Sequence, residues 1–96
     1  MKSMDNVIIY EPAELVDVID LSGNKHKKAI PNGFYIQVIK FDNVFGNKCA
    51  KVNIYNDKGI LEDFSANTQR NTIIELEEQI QRIISFALFI LEQRKN

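Results

Sequence analysis

Residues 73–94 impose the first constraint on the fold. No glycine or proline interrupts them, and apolar residues recur at helical spacing. Just ahead, Thr72 and Glu75 have the spacing of a capping box, in which hydroxyl and carboxylate each satisfy a free backbone N–H. The pattern predicts one helix over about 72–94, roughly 33 Å long at 1.5 Å per residue. On a helical wheel, Ile73, Leu76, Ile80, Ile83, Ile84, Ala87 and Leu91 share one side, with Leu88 at its margin. Phe86 and Phe89 fall on the far side near Arg82 and Gln93, and Ile90 lies between the two groups. The C-terminal half of the helix is thus apolar almost all round, and such a helix needs cover on every side.

Everything before residue 65 favours strands. The four glycines stand in turn-like settings: Ser22-Gly23-Asn24, Pro31-Asn32-Gly33, Phe45-Gly46-Asn47 and Asp57-Lys58-Gly59. Residues 6–10 form a short β-prone run closed by Pro12. In residues 13–21, Pro12 with Glu14 suits a first helical turn, but the β-branched Val16, Val18 and Ile19 tip the balance to strand. Residues 22–33 read as a loop with Lys25-His26-Lys27-Lys28 at its tip. Residues 34–41 have the two-sided apolar character of a central strand. In residues 49–55, Ala50, Val52 and Ile54 alternate with Lys51, Asn53 and Tyr55, which predicts a core face and an outer face. Asn56-Asp57-Lys58-Gly59 is a hairpin turn returning through residues 60–64, and residues 65–71 read as a polar connection. The expected fold is therefore α+β: an antiparallel meander of four to five strands over about 5–65, packed against one long C-terminal helix. At 96 residues the chain makes a single domain.

Charge and cysteine usage narrow the classes of function. The net charge of −1 argues against a polycation, although residues 22–58 set seven lysines against two aspartates between acidic ends. A single cysteine, Cys49, forms no internal disulfide and is expected as a buried thiol. The N-terminus lacks the apolar core of a signal peptide, and the apolar run 83–91 is too short to span a bilayer. These features point to a cytoplasmic protein with no membrane partner. The Lys-, Asn- and Ile-rich composition suits an AT-rich genome, as in many phages.

No motif for catalysis stands out. His26 and Cys49 are distant in sequence, which supports neither a zinc site nor a Cys–His nucleophile. Phosphate-binding glycine loops are absent. Glu62 and Asp63 are neighbours on a strand and point to opposite faces. Glu75, Glu77 and Glu78 suit the first turns of a helix, where they balance its dipole. The expectation is a protein that is not an enzyme, with no catalytic residues, no cofactor and no metal.

Binding remains, in two forms. In the first, the protein is a homodimer through Phe86, Phe89 and Ile90, and acts as a small accessory protein by binding a protein partner through the helix end or a free sheet edge. The competing structural expectation is that the N-terminal segment wraps over these side chains. In the second form, the outer sheet face binds single-stranded nucleic acid, with Lys25, Lys27, Lys28 and Lys51 on phosphates and Tyr55 stacking on a base. That form requires Lys27, Lys28, Lys51 and Tyr55 to share one exposed surface. A sheet meander closed by one helix, dimeric with an open sheet face, is similar in layout to several families of single-stranded-DNA-binding proteins; the likeness is architectural and carries no residues across.

Overall fold

The alternation through residues 49–55 organises the whole molecule. In the computed structural model, which describes residues 2–4 and 6–93 except the side chains of residues 2–4 and Asp63, that segment is the middle of a nine-residue strand. The chain runs through β1 (Lys2–Met4), β2 (Val7–Tyr10), β3 (Leu15–Ile19), β4 (Lys25–Ala29), β5 (Phe34–Asp42), β6 (Lys48–Asn56) and β7 (Leu61–Arg70) into helix α1 (Ile73–Gln93). The expected last helical residue, Arg94, lies outside the described residues. Five strands form one antiparallel sheet in the order β1-β2-β5-β6-β7, and β3 and β4 form a separate hairpin. The fold is α+β.

Register places the core on one face. Ile36 stands opposite both Tyr10 and Ile54, and Val38 opposite both Ile8 and Val52. With Ala50 these form the inner face of the sheet, which α1 covers with Leu76, Ile80, Ile84, Ala87, Leu88 and Leu91. Val16, Val18 and Ile30 join the same cluster, so the β3–β4 hairpin packs on the helix side of the sheet. Each fully buried aliphatic side chain here contributes about 1.5–3 kcal/mol. The helix begins with half of the expected capping box: Glu75 N–H donates to Thr72 Oγ1 at 3.2 Å, but the Glu75 carboxylate accepts from the Thr72 hydroxyl at 2.9 Å in place of its backbone N–H.

Three hairpin turns repeat one device. Asp20, Asn43 and Asn56 each accept two backbone N–H bonds on their side-chain oxygen, from the residues two and four positions on, at 2.9–3.0 Å. In each, the residue three positions on is a glycine at positive φ (Gly23, Gly46, Gly59), a conformation that only glycine adopts without strain.

Two segments depart from the sequence expectation. Residues 22–33 are largely strand: β4 pairs with β3 through Val16 opposite Lys28 and Val18 opposite His26. The tip of that hairpin is residues 20–24, and the basic cluster lies along its second arm. An exposed outer strand accepts polar side chains, so alternation in β4 is too weak to register. Residues 65–71 also belong mostly to the sheet, because β7 continues to Arg70. Phe64, Ala66 and Thr68 are half-buried, whereas Ser65, Asn67 and Gln69 are exposed on the other face. A bulge between Asn53 and Tyr55 of β6 and the start of β7 precedes this straight stretch.

Candidate functional site

Two surfaces carry exposed side chains of binding character, on opposite sides of the sheet. The first lies over α1. Phe86 and Phe89 are each 53% exposed and Leu21, at the tip of the β3–β4 hairpin, is fully exposed. With Ile19, Asp20, Ser22, Lys28, Arg82 and Ser85 they line a groove of about 390 Å³. The N-terminal strands do not cover this face, because β1 and β2 are built into the sheet. Ile90 is half-buried beside it. Phe86 also rests against Phe64 of β7, with ring centroids 6.2 Å apart and planes tilted by 46°, a separation at which aromatic pairs attract.

The groove joins apolar side chains with the charged Asp20, Lys28 and Arg82. Lys28 is engaged by Glu92, and Arg82 is exposed. Asp20 holds the hairpin tip that supplies Leu21. The N–H of Asn24 above all, and also that of Ser22, keep its carboxyl below the ordinary aspartate range, since hydrogen bonds to the charged form favour it.

The second surface is the outer face of the sheet. Its central ladder sets Tyr35 opposite Tyr55, Gln37 opposite Asn53, Ile39 opposite Lys51 and Phe41 opposite Cys49. Asn53 is only 5% exposed although it lies on the face away from α1. It donates from Nδ2 to Gln37 Oε1 at 3.0 Å and accepts from Ser65 Oγ at 2.8 Å, and Tyr55 OH donates to Gln37 at 3.4 Å. A shallow depression of about 430 Å³ adjoins the tyrosine pair, with Glu11 and Asp57 on its border. Cys49 is buried, its thiol 3.8 Å from the Asn47 carbonyl.

The structure does not bring the basic residues together. Lys51 and Tyr55 are on the outer face, whereas Lys25, Lys27 and Lys28 are on the hairpin across the sheet. Lys27 pairs with Asp17 across the hairpin at 2.8 Å, and Lys28 with Glu92 at 3.3 Å. Lys40, on the inner face, pairs with Glu77 of the helix. Hydropathy along the chain also passed over Leu21, Val44 and Phe45, all strongly exposed in the turns that Asp20 and Asn43 organise. Their signal was available: an Asx residue three positions before a glycine places the two residues between them at a hairpin tip.

Among the described residues, no cluster of three or more His, Cys, Asp or Glu is arranged to hold a metal ion, and no helix is long and apolar enough to cross a membrane. Comparison with protein-family models, with curated proteins and with solved structures finds no match to this chain.

Proposed function

We propose that this chain is a small non-catalytic binding protein that self-associates through the exposed side of α1 and acts by docking onto a protein partner. The observation that carries this is the convergence of Leu21, Phe86 and Phe89 around one groove, from two separate elements. Isolated exposed apolar residues are ordinary, but a contiguous cluster is the mark of an interaction surface. Aromatic anchors with an arginine in the same groove are the residue types that dominate protein interfaces. The test is the mass in solution of the native chain and of the Phe86→Ser/Phe89→Ser double variant. Twice the 11.1 kDa chain mass for the native protein, reduced to the single mass by the substitutions with the fold intact, supports self-association. A native monomer at high micromolar concentration overturns it.

A second function has one observation in its favour: Tyr35 and Tyr55 are adjacent on the outer face, which no helix or hairpin covers among the described residues, and paired aromatics on an open sheet stack with unpaired bases. Among the described residues the same face offers few cations, and two carboxylates adjoin the tyrosines. Labelled single-stranded DNA and RNA at about 50 and about 200 mM salt separate the two functions, because phosphate contacts make affinity fall steeply with salt. Salt-sensitive binding lost in Lys51→Ala and Tyr55→Ala would favour the nucleic-acid function.

A further inference from the structure

The free edge of the sheet carries a more specific statement about the self-association proposed above, on which it rests. β7 closes the five-stranded sheet, with β6 on one side and, among the described residues, no strand on the other. Exposed edges are normally blunted by charge, proline or irregularity. Residues 64–69 of β7 read Phe-Ser-Ala-Asn-Thr-Gln and contain no charge and no proline. Protection appears only at the two ends of this stretch, with the bulge before residue 65 and Arg70 after it. Of the ten residues of β7, residues 64–69 are the open window.

The helix adds a second, independent observation at the same edge. α1 packs on β7, and Phe86 rests on Phe64 at 6.2 Å. The exposed aromatic side of the helix therefore begins directly above the open window.

We infer that two copies of this chain join antiparallel through residues 64–70 of β7, forming one continuous ten-stranded sheet with both helices on the same face. Directly opposite residues in an antiparallel pair point to the same side of the sheet. Keeping both helices on one face therefore requires residues of equal parity to oppose each other. The equal-parity pairing that spans residues 64–70, with Phe64 at the margin of the bulge, puts Asn67 on the twofold axis. Ser65 then faces Gln69 on the outer side, so polar meets polar. On the inner side Ala66 faces Thr68, small residues that let the helices approach. Phe64, with Phe86 above it, faces Arg70 of the second copy, a cation against aromatic rings. Strands about 4.8 Å apart bring the two apolar helix sides within reach of each other, which gives Phe86 the cover that its own sheet lacks.

The experiment is disulfide trapping combined with mass in solution, on the full chain. Asn67 is exposed, so Asn67→Cys leaves the subunit fold unchanged. Its two copies would stand about 4.5–5.5 Å apart between Cα atoms, within the range a disulfide needs. Ser65→Cys is the control, since its two copies would be about 14 Å apart along the strands. Native Cys49 is buried. Mild oxidation with glutathione disulfide is expected to convert the Asn67→Cys protein to a covalent dimer and to leave Ser65→Cys and the native chain uncrosslinked. Asn67→Lys, which sets two like charges on the axis, is expected to weaken the dimer by about tenfold or more. A dimer by mass that Asn67→Cys does not trap, and that Asn67→Lys does not weaken, overturns the edge pairing while self-association stands. A native protein that is monomeric by mass overturns both.

Discussion

Lys28 Nζ lies 3.3 Å from Glu92 Oε1, a contact between residues 64 apart in sequence. It ties the second arm of the β3–β4 hairpin to the last turns of α1, and it explains why this lysine is not displayed for a phosphate. Both side chains keep a third to a half of their exposure, so water screens the pair. Lys28→Ala is expected to cost less than about 1 kcal/mol. Urea unfolding at low and high salt checks this, and the difference between variant and native should shrink as salt rises. A larger, salt-insensitive loss would mean that Lys28 acts through packing of its stem.

Asp20 makes the hairpin tip sensitive to acid. Its carboxyl is held below the ordinary range by the Asn24 and Ser22 N–H groups. The folded form is the weaker proton binder, so this stabilisation is complete above the ordinary aspartate value. It is lost as pH falls through the lowered one. Asp20→Asn keeps an oxygen acceptor and should flatten that part of the acid limb with little change at neutral pH. Asp20→Ala should destabilise at neutral pH as well. Thermal melts from pH 2 to 7 (about the carboxylate range) distinguish the two, and an unchanged acid limb in Asp20→Asn would remove Asp20 as its source.

Ala13 sits at φ 72°, the described non-glycine residue in the left-handed region. It follows Pro12 in a turn closed by Glu14 N–H to the Glu11 carbonyl at 3.1 Å, the arrangement of a type II turn, whose third residue favours glycine. Ala13→Gly is therefore expected to raise stability by about 0.5–1 kcal/mol, relief of strain outweighing the added freedom of the unfolded chain. Denaturant midpoints measure it, and a loss of stability would show that the strain is absent in solution.

Ile54 is fully buried between the sheet and α1, opposite Ile36. Ile54→Ala should cost about 2–5 kcal/mol through lost burial and the cavity left behind. That is a large share of the roughly 5–14 kcal/mol expected for a domain of this length. A cost below about 1 kcal/mol would mean that the helix does not pack there as described.

Local pattern was enough for the helix, the Thr72 half of its cap, the hairpin turn at Asn56 and the two faces of β6, because each depends on neighbours within a few residues. The uninterrupted apolar period of 73–94 demanded a helix, and alternation in 49–55 assigned Val52 to the core and Lys51 to the outer face before any fold was known. The edge strands were harder to see. β4 and the second half of β7 have few apolar contacts to keep, so their sequences resemble loops, and only pairing with β3 and β6 makes them strands. Position across the sheet was likewise a tertiary matter. Lys28 and Lys51 look like members of one basic stretch, yet the hairpin packs with the helix, because Val16, Val18 and Ile30 must bury on the inner face. That places the five-stranded sheet between them. The chain alone determined which side chains needed cover. Folding decided that Phe86 and Phe89 would go without it, because one small sheet and one hairpin cover only part of the circumference of a helix apolar on all sides.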